Sequence, residues 1–148
     1  MPLKNTFAYL QEIFKQADDA AGHLKISFER CRSFIDNSEY TEEQLIELEA
    51  LTARFARLSD VLIQKIFKTI DQLDGTGSGT VRDRIMQAEK KGLIDDADTL
   101  MEIRSVRNTI AHEYESIDLK EMFLFIFRHS LLLVEILDKS KKYSVRFF

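Results

Sequence analysis

The 148-residue sequence is poor in cysteine, glycine and proline, and each scarcity excludes a class of protein. Its single cysteine, Cys31, excludes an internal disulfide and cannot by itself build a thiolate zinc site, so nothing indicates an oxidising compartment. Five glycines and one proline leave few interruptions for helices, and 45% hydrophobic with 31% charged residues is not typical of a disordered protein. We therefore expect a soluble, mostly helical protein of the cytoplasm.

Long hydrophobic runs are missing as well. The first residues, MPLKNTFAYLQEIFK, lack the uninterrupted apolar core and cleavage site of a secretory signal. The most apolar segment, 122–137, contains Arg128, His129 and Glu135 and is shorter than the roughly 20 apolar residues that cross a bilayer. We expect this segment to be a buried helix, and we expect no membrane partner.

The net charge of −4 argues against a domain that binds nucleic acid through its overall charge, although a local basic cleft remains compatible with it.

Apolar residues recur every three or four positions along most of the chain, which predicts helices. A capping-box pattern at Thr41 and Gln44 predicts where the second helix begins, and Thr80 is the predicted N-cap of the third. The predicted helices run from about Thr6 to Asp36, from Thr41 to about Leu73, from Val81 to Lys91, from Asp95 or Asp96 through the segment described below, and from Asp118 to about Lys142. No segment shows strand-like alternation. The expected fold is an all-α, antiparallel up-and-down bundle of about five helices, forming one domain over residues 1–148.

The last predicted helix carries apolar residues on nearly every side between Met122 and Leu137. One face of a bundle buries less than this. Either neighbouring helices surround it, or part of it forms the interface between two subunits related by a two-fold axis.

Residues 104–114, RSVRNTIAHEY, would place most of their polar side chains on one side of a helix. At about 100° per residue, five of them fall within an arc of about 160°: Arg104, Arg107, Asn108, His112 and Tyr114. The other side carries Ile103, Val106 and Ile110, which we expect to pack into the bundle.

This arc has the groups that cleavage of RNA without a metal requires. Guanidinium groups of Arg104 and Arg107 suit phosphate oxygens, and His112 can transfer a proton near neutral pH. The reaction needs one group to deprotonate the ribose 2'-OH, another to protonate the leaving 5'-oxygen, and cations to stabilise the charged phosphorane. One histidine per chain supplies half of the acid–base pair. Two copies of this helix that face each other across a two-fold axis would supply a complete set.

The segment from Arg107 to His112 resembles the Arg-x4-His motif of HEPN-domain ribonucleases, and Tyr114 extends it to the Arg-x4-His-x-Tyr form of HepT toxins. The resemblance implies a homodimeric endoribonuclease that needs no metal or other cofactor. Arg107 and His112 would be catalytic with Asn108 in support, and we expect Arg104 to bind RNA.

The same resemblance implies a partner, because HepT toxins pair with MNT-type nucleotidyltransferase antitoxins. Tyr114 would then accept AMP groups, whose phosphates would occupy the arginine side chains and block RNA. The sequence is similar to nucleotidyltransferase substrate-binding subunits too, and a non-catalytic subunit of this kind is the alternative function.

Other polar groups have simpler interpretations. Arg104 and Arg107 could form surface ion pairs with Glu102, Glu113 or Glu115. His23 and His129 are interpreted as structural, and the glycine-rich segment 75–80 as a flexible connector, because it lacks the lysine and preceding strand of a phosphate-binding loop. A basic cluster on the third helix could guide RNA, although a solvated face is the preferred interpretation: Arg82, Arg84, Lys90 and Lys91.

Overall fold

A computed structural model describes residues 3–77, 79–112 and 118–148, and most of them are helical. The α-helices are α1 (Leu3–Cys31), α2 (Glu42–Asp60), α3 (Phe67–Asp74), α4 (Val81–Lys90), α5 (Ala97–His112) and α6 (Leu119–Ser144). A π-helical segment, Val61–Ile66, joins α2 to α3, and a 3-10 turn, Val145–Phe147, follows α6. The described residues contain no strand, which confirms the prediction of an all-α bundle.

The helices begin where their capping residues predicted. Thr41 and Gln44 form a complete capping box, and Thr80 caps α4 in the same way. The Asp96 carboxylate accepts hydrogen bonds from the Asp98 amide and the Thr99 hydroxyl, so α5 starts directly after it. Asp118 caps α6. Side chains that satisfy the free amides of a first turn thus fix these four starts.

Two of the predicted helices differ from the structure, one in where it ends and one in its internal winding. The first helix stops at Cys31 rather than Asp36, and 32–36 form a turn in which the Ile35 amide donates to the Cys31 carbonyl at 2.9 Å. This turn still buries Phe34 and Ile35, which explains why their spacing resembled a helix. The second predicted helix is not uniform, because it contains the π segment.

The predicted flexible connector starts in a fixed geometry. Gly75 adopts the left-handed conformation (φ 73°), and the Thr76 amide donates to the Asp71 carbonyl at 2.9 Å, so α3 ends in a Schellman motif. A side chain at Gly77 would approach the backbone of Gln72 to 3.1 Å. Glycine therefore avoids an unusually tight contact with the end of α3.

The long helices are antiparallel and share one apolar core. Phe28 of α1 stacks on Phe127 of α6 with ring centroids 4.3 Å apart, while Lys141, later on α6, pairs with Asp18, earlier on α1. The core includes fully buried residues from every long helix: Leu10, Leu24, Leu48, Phe55, Leu62, Ile103 and Ile126.

The outer side of α6 is only partly covered. Phe123 and Ile126 are buried, and Phe127 is partly buried, whereas Leu131 is 48% exposed. Neighbouring helices therefore surround only part of this apolar helix. Within the described residues, no helix is both long and apolar enough to span a bilayer.

The basic cluster on α4 does not form one solvated face, which corrects the preferred interpretation of it. The Lys91 side chain is 8% exposed, and its ammonium group lies 2.5 Å from Asp71 and 3.1 Å from Asp74. The Tyr143 hydroxyl donates to Asp74 at 2.5 Å and ties α6 to this group. The cluster of Lys91, Asp71, Asp74 and Tyr143, called here the buried polar network, connects α3, the C-terminal end of α4 and α6.

We predict that Lys91→Ala destabilises the protein by about 3–5 kcal/mol, because it leaves the buried carboxylate of Asp71 and the partly buried one of Asp74 without their cation. The matched control is Lys90→Ala, since Lys90 is exposed and should change the unfolding free energy by about 0.5 kcal/mol or less. Urea unfolding of both variants measures the difference. Equal midpoints would show that the ion pairs contribute nothing.

Tyr143 should make the stability sensitive to alkaline pH. Burial, together with its bond to Asp74, raises the pKa of Tyr143 from 10.0 to about 12. The folded state therefore holds this proton more tightly than the unfolded state, so its contribution is complete below pH 10 and is lost as the pH rises towards 12. We predict that the free energy of unfolding of Tyr143→Phe decreases less than that of the wild-type protein over this pH interval. Urea unfolding at several pH values measures both. A parallel decrease in both proteins would contradict this assignment.

Candidate functional site

Helix α5 separates apolar from polar side chains as predicted. Ile103 is fully buried, and Val106 and Ile110 pack against the core from partly buried positions. Asn108 lies on the exposed side. The apolar contacts therefore fix the rotation of α5 about its axis, and with it the direction of its polar side chains.

Arg107 lies at the border between these two sides and reaches α2. It donates from Nε and Nη2 to the two carboxylate oxygens of Asp60, at 2.7 and 2.8 Å. The Arg107 side chain remains 29% exposed and that of Asp60 41%. This bond raises the pKa of Arg107. Two of the five N–H groups of the guanidinium are used, and the remaining three donate to no residue that the structure describes.

Asp60 is the functional candidate that the sequence did not reveal. Arg107 does form an ion pair, as its simplest interpretation allowed, but with a residue 47 positions away rather than with a nearby glutamate. An isolated aspartate between two leucines of an apolar stripe carries no pattern that identifies a partner. The pairing depends on how α2 packs against α5, which is a tertiary property.

The π segment begins directly after Asp60. Its wider turn brings Gln64 and Lys65 to the side on which Asp60 lies. Arg84 of α4 donates to the Ile63 carbonyl at 3.1 Å and to the Gln64 side chain at 3.3 Å. Arg84, predicted as part of an RNA-guiding or solvated cluster, therefore supports the π segment instead.

A shallow recess of about 440 Å³ lies between the π segment and α5, and we call it the α2–α5 recess. Apolar side chains line one part of it and charged or polar side chains the rest. Its lining residues are Ala53, Ala56, Arg57, Asp60, Val61, Gln64, Lys65 and Arg107.

The structure describes only part of the predicted site. Arg107 borders the recess, and Asn108 is exposed one residue later. Arg104 is half-buried and has no hydrogen bond or ion pair to any other described residue. His112 is the last residue of α5, and its side chain lies outside the described residues, as does all of Tyr114.

The other two histidines have structural surroundings. His129 places Nδ1 2.8 Å from the Phe125 carbonyl and stacks on the Phe125 ring, one helical turn earlier. The His23 carbonyl accepts a hydrogen bond from Arg54 at 3.1 Å, while its side chain is on the exposed side of α1. Neither imidazole lines the recess.

The arrangement at α5 suits an anionic ligand. Arg107 is oriented by a carboxylate but keeps free donors, and two further cations, Arg57 and Lys65, are exposed beside it. A guanidinium held in this way can contact phosphate oxygens without first losing conformational freedom.

The sequence from residue 24 to residue 139 matches the ribonuclease HepT-like family. This match includes α2, the π segment and α5, and so it covers the whole of the recess. No curated protein is similar enough in sequence to be matched to the chain.

Proposed function

The chain belongs to the ribonuclease HepT-like family, and from this premise we propose that it is a HepT-like toxin: a metal-independent endoribonuclease that acts as a homodimer. The family confirms the resemblance inferred from residues 104–114. One helical domain over residues 1–148 would form each subunit. We propose that it acts in the cytoplasm.

The observation that carries this proposal is the placement of Arg107. Its guanidinium is fixed by Asp60 at the edge of an open recess, three of its N–H groups bond to no described residue, and it precedes His112 by five residues on the same helix. Cleavage of RNA without a metal needs both a fixed cation that stabilises the phosphorane and a group that can transfer protons.

The proposal requires two chains. Residues five positions apart on a regular helix point about 140° away from each other, and α5 is α-helical through His112. Distortion of the helix, one way of bringing Arg107 and His112 to the same phosphate, is therefore not supported. We propose that the partner subunit supplies one of the two groups, and that dimer formation covers Leu131 on α6.

In the proposed reaction, the imidazole of His112 from one chain removes the proton of the ribose 2'-OH. The 2'-oxygen then attacks phosphorus, and Arg107 stabilises the additional negative charge on the phosphorane oxygens. The bond from phosphorus to the 5'-oxygen breaks, and this oxygen takes a proton from the second imidazole. The products are a 2',3'-cyclic phosphate and a 5'-hydroxyl. Asn108 would orient the phosphate, and Arg104 would bind the RNA backbone.

Regulation would come from an MNT-type nucleotidyltransferase antitoxin that transfers AMP to Tyr114. The added phosphates would compete with RNA for the guanidinium groups, so activity would stop without a change of fold. This step follows from the family resemblance, and a non-catalytic substrate-binding subunit of a nucleotidyltransferase is the competing function.

We predict that the purified protein cleaves single-stranded RNA in excess chelator, yielding 2',3'-cyclic phosphate ends, and that His112→Ala abolishes cleavage. His23→Ala is the matched control, because His23 is exposed on α1 and should leave the rate unchanged. Gel analysis of labelled RNA measures both. Cleavage that persists in His112→Ala would reject the mechanism. A wild-type protein that binds the transferase but never cuts RNA would favour the substrate-binding subunit.

Asp60 should act on the rate through Arg107. We predict that Asp60→Ala lowers kcat about tenfold or more, because the guanidinium loses its fixed position, while KM stays constant or falls with the loss of a negative charge near phosphate. Asp60→Asn keeps one acceptor oxygen and should retain an intermediate kcat.

Asp19→Ala serves as the control, since this exposed carboxylate on α1 has no contact with the recess. A rise in KM at constant kcat would mean that Asp60 contributes only to binding. An unchanged kcat in Asp60→Ala would remove its positioning role.

A further inference from the structure

The α2–α5 recess extends away from Arg107 along α2 and contains two cations that the proposed cleavage step does not use. We propose that this recess binds the RNA backbone next to the cleaved bond, with Arg57 and Lys65 each contacting a phosphate. The inference rests on the proposed function, because it specifies how the same site holds its substrate.

The first support is the position of these residues on one helix face. The residues that line the recess on the α2 side recur every three or four positions, which aligns them along the helix axis. Arg57 and Lys65 are eight residues apart in this row, so about two helical turns separate them. They are therefore suited to separate phosphates of one strand rather than to a single ion.

The second support is charge. Within the recess, Arg57, Lys65 and Arg107 face one carboxylate, that of Asp60, which leaves a local net charge of +2 in a chain whose overall charge is −4. Asp60 is already neutralised by Arg107. Neither Arg57 nor Lys65 forms an ion pair with any residue that the structure describes, so both remain available to an external anion.

The third support is shape. Ala53 and Ala56 line the recess without filling it, so a sugar–phosphate chain can approach α2 closely. Gln64 accepts a hydrogen bond from Arg84 through its side-chain oxygen, which leaves its NH₂ group free to donate. The recess thus offers donors and no unpaired carboxylate, which are the properties that recognise a polyanion.

The test measures RNA binding in a His112→Ala background, where the substrate is not consumed. Fluorescence anisotropy of a labelled single-stranded RNA gives the dissociation constant at several salt concentrations. Arg57→Gln and Lys65→Gln should each weaken binding about fivefold at ~0.1 M salt and reduce the slope of log K against log salt by about 0.7, as the loss of one phosphate contact predicts.

Lys142→Gln is the control, because it removes the same charge from an exposed position. Lys142 is also far from the recess. It lies after Lys139, which pairs with Asp95 at the start of α5, whereas Arg107 is in the second half of α5. The control should bind RNA with the affinity and salt slope of its parent.

If Arg57→Gln and Lys65→Gln bind RNA as Lys142→Gln does, the recess is not the backbone site. If the wild-type protein nevertheless cleaves RNA, this result would overturn the inference about the recess and leave the proposed function intact. Conversely, a protein without nuclease activity whose RNA affinity depends on Arg57 and Lys65 would support the recess and reject the cleavage mechanism alone.

Discussion

The ion pair between Arg107 and Asp60 is the interaction on which the site depends, because it connects the two helices that build it. Burial of apolar side chains brings α2 and α5 together but leaves their polar edges undefined. A forked, two-bond contact defines them, since both guanidinium and carboxylate are planar and must align. Because both side chains are partly exposed, this ion pair contributes little to stability. Its main effect is to fix the positions of the two side chains relative to each other.

The sequence predicted the local features of the fold well. The capping residues at Thr41, Thr80, Asp96 and Asp118 set the helix starts, because a cap depends only on neighbours within the first turn. The rotation of α5 followed from three apolar residues, since a helical stripe requires no knowledge of what it packs against. The family was recognised from a segment that is contiguous in the chain, so no tertiary information was needed.

The features that the sequence did not predict all involve distant residues. Asp60 is 47 positions from Arg107, and Lys91 is 20 from Asp71, so both pairings exist only after the helices have packed. Lys91 looked like a surface cation because its neighbours on the helix are charged. The π segment escaped notice because its apolar spacing fits a regular helix as well, and the support that Arg84 gives it comes from α4.

The π segment has a consequence for how this protein can change in length. Removing one residue there would convert the wide turn to an ordinary α-helical one, and the tighter winding would offset the lost residue, so α3 would keep its rotation relative to α2. Asp71 would still face Lys91, and Ile70 would stay in the interior. Deletions are usually tolerated in loops, but between Asp60 and Phe67 a residue can be lost inside a helix, whereas the same deletion in the middle of α2 would rotate everything after it by about 100°.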